Sequence, residues 1–290
     1  MDQEVFEAIQ KGEYEGDCIS PMKAKLLSER YGIIFPEKSN NVIRRNIGND
    51  EWNRNIIEDF SSFEIIRKCV LFCLVGYRTK EDKKDNAGSL YQDLLKTSYD
   101  KLFLLDNLEH IWDTLVQWNM NARGAELMDK STFTNSLLEM RPVIDKLNEY
   151  QLLDFCDGTT TQQISKILLK LYKNIKLSKL NQFVTISKTL HFFIPQLYIP
   201  IDRTYTVNYF SDYRGLDLPS NKEYDKQVAW AISFHRQLSQ LYKNYKDEYD
   251  ELSIKTKYPV TKLLDDTLIG FAMYRRYYCQ QFNSQIISNL

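Results

Sequence analysis

Lys188, His191, Asp202, Arg203 and Tyr205 stand out in the run Phe183-Val184-Thr185-Ile186-Ser187-Lys188-Thr189-Leu190-His191-Phe192-Phe193-Ile194-Pro195-Gln196-Leu197-Tyr198-Ile199-Pro200-Ile201-Asp202-Arg203-Thr204-Tyr205, which apart from Gln196 is otherwise apolar or hydroxylic. A carboxylate such as Asp202, placed in a dry pocket, can take a proton from water or stabilise a positive charge that develops in a transition state. An Asp at the start of a helix serves equally as its N-cap, and the two roles are compatible. The Lys188 amine can form a Schiff base with a sugar carbon or, as a cation, contact a phosphate. His191 follows three residues later, beside Leu190 and Phe192. It is either a base-pocket group or a core histidine with both ring nitrogens satisfied.

A second constellation is Gln117-Trp118-Asn119-Met120-Asn121-Ala122-Arg123-Gly124. An enzyme that acts on a nucleobase must turn it out of the stack and hold it by aromatic stacking and amide hydrogen bonds. Trp118, Asn119 and Asn121, with Tyr205, suit such a pocket, and Arg123 suits a phosphate. The other reading is a helix C-terminus ended by Asn and Gly, with Trp118 filling the core. The tyrosines and arginines of Tyr274-Arg275-Arg276-Tyr277-Tyr278 suit stacking on single-stranded nucleic acid or packing within the fold.

Charge is distributed unevenly. The chain as a whole carries a formal −1, yet residues 159–210 hold Lys166, Lys170, Lys173, Lys176, Lys179, Lys188 and Arg203 against Asp202 alone, seven positive charges less one negative. Nucleic-acid affinity would therefore rest on a local patch, since neutralised phosphates release counterions. Lys173, Lys176, Lys179, Ser187, Thr189 and Arg203 are the backbone-contact candidates. A solvated face with its counter-charges elsewhere in the fold is the alternative.

The 183–205 run resembles a segment of helix-hairpin-helix DNA glycosylases. In that family a hairpin ending in Lys-Thr leads into a helix, then a short apolar loop, then a Pro-x-Asp whose carboxylate is catalytic. Lys188-Thr189 matches the hairpin end and Pro200-Ile201-Asp202 the catalytic turn. Where the family hairpin has glycines, this chain has Val184, Thr185, Ile186 and Ser187. The branch it looks most like is the anti-phage glycosylases that excise modified bases. The resemblance implies a monomer without cofactor that binds double-stranded phage or damaged DNA, with Asp202 catalytic and glucosylated hydroxymethylcytosine as the base removed. A non-enzymatic helical nucleic-acid-binding protein and a helical protein-interaction module remain the alternatives.

The elements that must position these groups read as helices. Gly and Pro together number 17 in 290 residues, so helix breakers are scarce. Apolar residues recur at offsets of three and four at Leu108, Ile111, Trp112, Leu115, Val116; at Phe133, Leu137, Met140, Ile144, Leu147; at Ile164, Ile167, Leu168, Leu171, Tyr172, Ile175; and from Val260 to Tyr274. Thr160 with Gln163 reads as a capping box opening a 161–176 helix, and Pro259 suits the first turn of the last helix. The expected fold is all-α in two lobes with a DNA cleft between them: 101–202 as a central lobe with the hairpin and Asp202, and 1–100 joined with 203–290. Residues 78–88 and 211–222 read as loops or linkers.

Composition is that of a globular protein, 43% hydrophobic and 27% charged. The acidic start lacks a secretory signal, and the apolar run Val70 to Val75 is too short to span a bilayer, which points to the cytoplasm and no membrane partner. Five scattered cysteines suit reduced thiols, with Cys69 and Cys73 packing one helical face. His110, His191 and His235 have no ligand spacing, so no metal is expected.

Overall fold

The computed structural model describes residues 60, 62–67, 69–70, 73, 87–118, 120, 125–180, 182–202, 206 and 223–278. The described residues are mostly helical, with no strand among them. In chain order the helices are α1 Ala87–Lys96, α2 Tyr99–Leu102, α3 Leu105–Gln117, α4 Lys130–Leu147, α5 Gly158–Asn174, α6 Gln182–Phe193, α7 Tyr224–Asn244, α8 Lys246–Thr256 and α9 Val260–Tyr278. A short 3-10 turn, Leu152–Cys156, precedes α5. No helix among the described residues is long and apolar enough to cross a membrane.

The apolar spacings become buried stripes. Helix α3 buries Leu108, Ile111 and Leu115, α4 buries Phe133, Leu137, Ile144 and Leu147, and α5 buries Ile164, Leu168, Leu171 and Tyr172. The cap of α5 differs from the capping box expected at Thr160 and Gln163. The helix opens at Gly158, and Asp157 accepts from the Thr160 N–H at 2.7 Å and from its hydroxyl at 2.7 Å. An ionised carboxylate is the stronger acceptor, so it takes the cap and Thr160 becomes a donor. Helix α9 likewise opens one residue after Pro259, whose carbonyl accepts the N–H groups of Lys262 and Leu263.

Helix α6 is almost wholly buried. Phe183, Val184, Thr185, Ile186, Ser187, Thr189, Leu190, His191, Phe192 and Phe193 are all buried, so it is covered on every side. This corrects the expected hairpin: residues 184–189 lie within a helix. The connection between α5 and α6 falls at 175–181, where Met128 N–H reaches Leu177 O and Lys179 N–H reaches Glu126 O. With no glycine between Phe183 and Leu190, nothing favours a turn there over a buried helix.

One hydrophobic cluster runs from Phe60 to Phe271 and draws on both sides of residue 202. Helix α7 packs on α5 and on the 3-10 turn, where the Ser239 hydroxyl donates to Leu152 O at 2.7 Å. Helix α9 approaches the segment holding Cys69 so closely that a Cβ on Gly270 would sit 1.8 Å from the Cys69 carbonyl oxygen. Backbone cannot yield as a flexible side chain can. Gly270→Ala should therefore lower the unfolding free energy by about 1–3 kcal/mol, the usual cost of overpacking. The check is a urea midpoint; one equal to that of the parent protein would mean the two backbones are not in contact.

Candidate active site

The loop 194–202 brings Asp202 back against α6, and from Leu197 to Asp202 each of its N–H groups has an acceptor. Leu197 and Tyr198 N–H groups reach Ile194 O. Ile199 N–H donates to His235 Nε2 at 3.0 Å, Pro200 has no N–H, Ile201 N–H donates to Ser187 Oγ at 2.6 Å, and Asp202 N–H donates to Thr206 Oγ1 at 3.1 Å. The Tyr198 carbonyl lies 2.8 Å from His191 Nδ1. Buried amides need such partners, because each one left unmade costs about 1–3 kcal/mol.

Two neutral histidines do much of this holding. A carbonyl can only accept, so His191 Nδ1 carries the proton and its bare Nε2 accepts from the Tyr91 hydroxyl at 2.7 Å. By the same logic His235 Nδ1–H donates to Ala231 O at 2.8 Å, leaving Nε2 for Ile199. Burial lowers His191 to about 3 and His235 to about 4.

Held in this way, Asp202 meets Lys188, fourteen residues earlier, at 3.0 Å between Oδ2 and Nζ. The two side chains are only 9% and 12% exposed. Lys188 sits on the second turn of α6 and its Nζ lies 5.6 Å from the centre of the Trp118 ring, a cation–π contact. Trp118 is half-buried at the end of α3, stacked on Phe192 with ring centres 5.4 Å apart and touching Tyr91 at 5.5 Å.

Behind Tyr91 lies a buried ionic cluster. Lys262 Nζ contacts Asp265 Oδ2 at 2.9 Å and Asp266 Oδ1 at 2.5 Å, and the Cys73 thiol donates to Asp266 Oδ1 at 3.3 Å. Burial, the Asp266 charge and the more distant Asp202 push the Asp265 carboxyl up to about 6, with Lys262 opposing. Burial pulls the Lys262 ammonium down, but the two carboxylates outweigh it and hold it well above its ordinary value. Burial also pushes the Tyr91 phenol and the Cys73 thiol upward.

The comparisons leave this chain without a match among protein-family models, curated proteins and solved structures. The site is therefore read from its chemistry.

Of the candidates named from sequence, Asp202, Lys188, Trp118 and His191 converge. Several others take different roles. Ser187 and Thr189 are fully buried, and Ser187 holds the loop, so neither contacts a DNA backbone. Lys188 faces Asp202 and Trp118 instead of a phosphate, because an ammonium 12% exposed takes the nearest carboxylate and aromatic face. Lys173, Lys176 and Lys179 are exposed, and two have acidic partners: Lys173 with Asp225 and Lys179 with Glu126. That agrees with the solvated-face reading, although exposed pairs are worth only about 0–1 kcal/mol and can be exchanged for phosphates. Asn119, Asn121, Arg123, Arg203 and Tyr205 lie outside the described residues, as do most of 78–88 and all of 211–222.

Tyr91, Lys262, Asp265, Asp266 and His235 were not marked by sequence. The available signal was three charges, Lys262, Asp265 and Asp266, inside the apolar run Val260 to Phe271. Among the described residues no group of three or more His, Cys, Asp or Glu side chains is placed to hold a metal ion.

The histidines set a pH dependence. As pH falls from 6.5 towards 4 the unfolded chain binds two protons that the folded chain refuses, so stability falls by about 1.4 kcal/mol per pH unit for each histidine. Asp265 opposes them. Its folded value, about 6, lies above the ordinary 3.8, so below pH 6 the folded chain takes up that proton first and cancels one histidine. Urea unfolding followed across this window should show stability dropping with acid at the net slope of about one proton. A flat or rising profile would contradict the neutral histidines.

Proposed function

We propose that this chain is a DNA glycosylase, which cleaves the N-glycosidic bond of a modified base in double-stranded DNA and leaves an abasic site. The observation that carries the reading is the Lys188–Asp202 pair, 3.0 Å apart, shielded from water and overhung by Trp118. Breaking the bond builds oxocarbenium character on the sugar. A carboxylate already fixed in a site of low dielectric stabilises that charge far better than one in water.

The reaction asks little else. A water oxygen bonds to C1′ as the C1′–N bond breaks, one water proton passes to Asp202, and that proton goes on to the departing base nitrogen, so that water is added across the bond and the carboxylate is restored. Lys188 is the amine beside that carboxylate. Attack by Lys188 on C1′ in place of water would form a Schiff base and couple base removal to strand cleavage. Trp118, half-buried at the edge of the site, is an aromatic surface for a base turned out of the duplex. Lys166, Lys170 and Lys173, spaced four and three apart on the exposed side of α5, suit backbone phosphates.

The test compares abasic-site formation on phage DNA carrying glucosylated hydroxymethylcytosine with unmodified, uracil-containing and 8-oxoguanine-containing DNA. Asp202→Asn should slow base release by about a hundredfold or more while leaving DNA affinity nearly unchanged, since the charge acts in the transition state. An Asn variant of full activity would overturn the assignment. Borohydride trapping of a DNA adduct, lost in Lys188→Ala, would establish the Schiff-base route. DNA binding without loss of any base would make the chain a non-enzymatic binding module.

A further inference from the structure

Helices α5 and α7 carry a strong positive bias. Between them they hold Lys166, Lys170, Lys173, Lys226, Arg236 and Lys243 against Asp225 alone. Helix α3 is the reverse, with Asp106, Glu109 and Asp113 and neither lysine nor arginine, and α8 sets four acids against two lysines. All six cations are exposed and fall on one stripe of each helix: Lys166, Lys170 and Lys173 with Gln162 on α5, and Lys226, Arg236 and Lys243 with Ser233 on α7. The two helices pack together and run antiparallel. Lys173, near the end of α5, meets Asp225 at the start of α7 at 3.7 Å, and the turn leading into α5 meets α7 farther along, with Cys156 Sγ 3.1 Å from Ser239 Oγ. The stripes therefore lie side by side on helices whose axes are about 8–10 Å apart.

Only two of the six cations are neutralised, Lys173 by Asp225 and Lys226 by Glu223. Lys166, Lys170, Arg236 and Lys243 form no ion pair among the described residues. The opposite side of this two-helix layer rests on the loop that carries Asp202. There the Tyr172 hydroxyl of α5 lies 2.8 Å from that of Tyr198, and His235 of α7 accepts the Ile199 N–H. The basic stripes thus stand about one helix diameter, roughly 10–12 Å, from that loop.

We infer that the outer face of α5 and α7 is a binding site for the backbone of duplex DNA, separate from the Lys188–Asp202 pocket, which holds the duplex by charge without reading its bases. It extends to α7 the phosphate role proposed for α5, and it rests on the DNA part of that reading and not on base removal. The occupant follows from the composition of the face. No large apolar side chain is exposed on either helix, so the face has no anchor for a lipid surface or for the core of a protein interface. No aromatic side chain of either helix is exposed, so a single strand finds no stacking platform. Cations beside neutral hydrogen-bonding groups, here Gln162 and Ser233, are the set that contacts phosphates and sugars. A duplex supplies one phosphate per about 1.7 Å of its axis, dense enough to meet all four unpaired cations.

The test follows binding of the full chain to a labelled, unmodified DNA duplex by fluorescence anisotropy across a potassium chloride series. Each lost phosphate contact removes about 0.9 from the slope of log K against log salt. Arg236→Gln combined with Lys243→Gln should therefore flatten the slope by roughly 2, Lys166→Gln combined with Lys170→Gln by roughly 2, and all four changes by roughly 4. Urea midpoints should not move, because these side chains are exposed and unpaired. An unchanged slope in the α7 variant would overturn the inference. So would an α7 variant that loses binding to phosphatidylserine vesicles while its DNA binding stays intact. At saturating DNA the α7 variant should release base as fast as the parent protein, and a slower rate would contradict a site separate from the pocket. A parent protein that shows these slope changes but releases no base ends the glycosylase reading and leaves this site standing. One that releases base with a slope indifferent to all four changes does the reverse.

Discussion

Every N–H between Ile199 and Asp202 has to find an acceptor where water does not reach, and much of the site follows from that need. His235 takes Ile199, Ser187 takes Ile201, Thr206 takes Asp202, and Pro200 removes one donor from the problem. His191 supplies a donor for the Tyr198 carbonyl. The consequence is a loop with little freedom, and so a carboxylate delivered to one place, 3.0 Å from Lys188. A catalytic carboxylate gains from such preorganisation because no reorganisation is required as charge develops.

The arrangement has a cost that the rest of the fold offsets. Helix α6 buries a histidine, a serine and two threonines among its phenylalanines and half-buries Lys188, and such polar groups favour folding only when satisfied. Tyr91 on α1 comes from a distant part of the chain to meet His191, and His235 on α7 likewise meets the Ile199 amide of the loop. The site is thus bound up with the packing of α1, α6, α7 and α9, and the close approach of α9 at Gly270 is part of what holds the ionic cluster in place.

The helices were legible in the sequence because amphipathic spacing is a local signal: α3, α4, α5 and α9 fall where the apolar offsets put them. Asp202 and Lys188 were legible as residue types in a suggestive order. What the order could not convey was mutual position. The distinction between a hairpin and a buried helix at 184–189 depends on tertiary cover, and so does the difference between a lysine that meets a phosphate and one that meets Asp202. Ser187 looked like a phosphate contact because a hydroxyl serves either role; only the loop folding back over it decides. The Lys262, Asp265 and Asp266 cluster was hidden for the opposite reason. Charges at helical spacing normally mark a solvated face, and here they face inward.

The central claim is that Lys188 and Asp202 form one buried unit whose members depend on each other. A double-mutant cycle on unfolding free energy, with Lys188→Met, Asp202→Asn and the two combined, tests it most directly. Either single change strands a buried partner, so each should destabilise the protein strongly. The double variant should recover part of that loss, giving a coupling energy of roughly 0.5–3 kcal/mol. Additive effects, with the double variant as unstable as the sum of the singles, would mean that the two groups do not act as a pair.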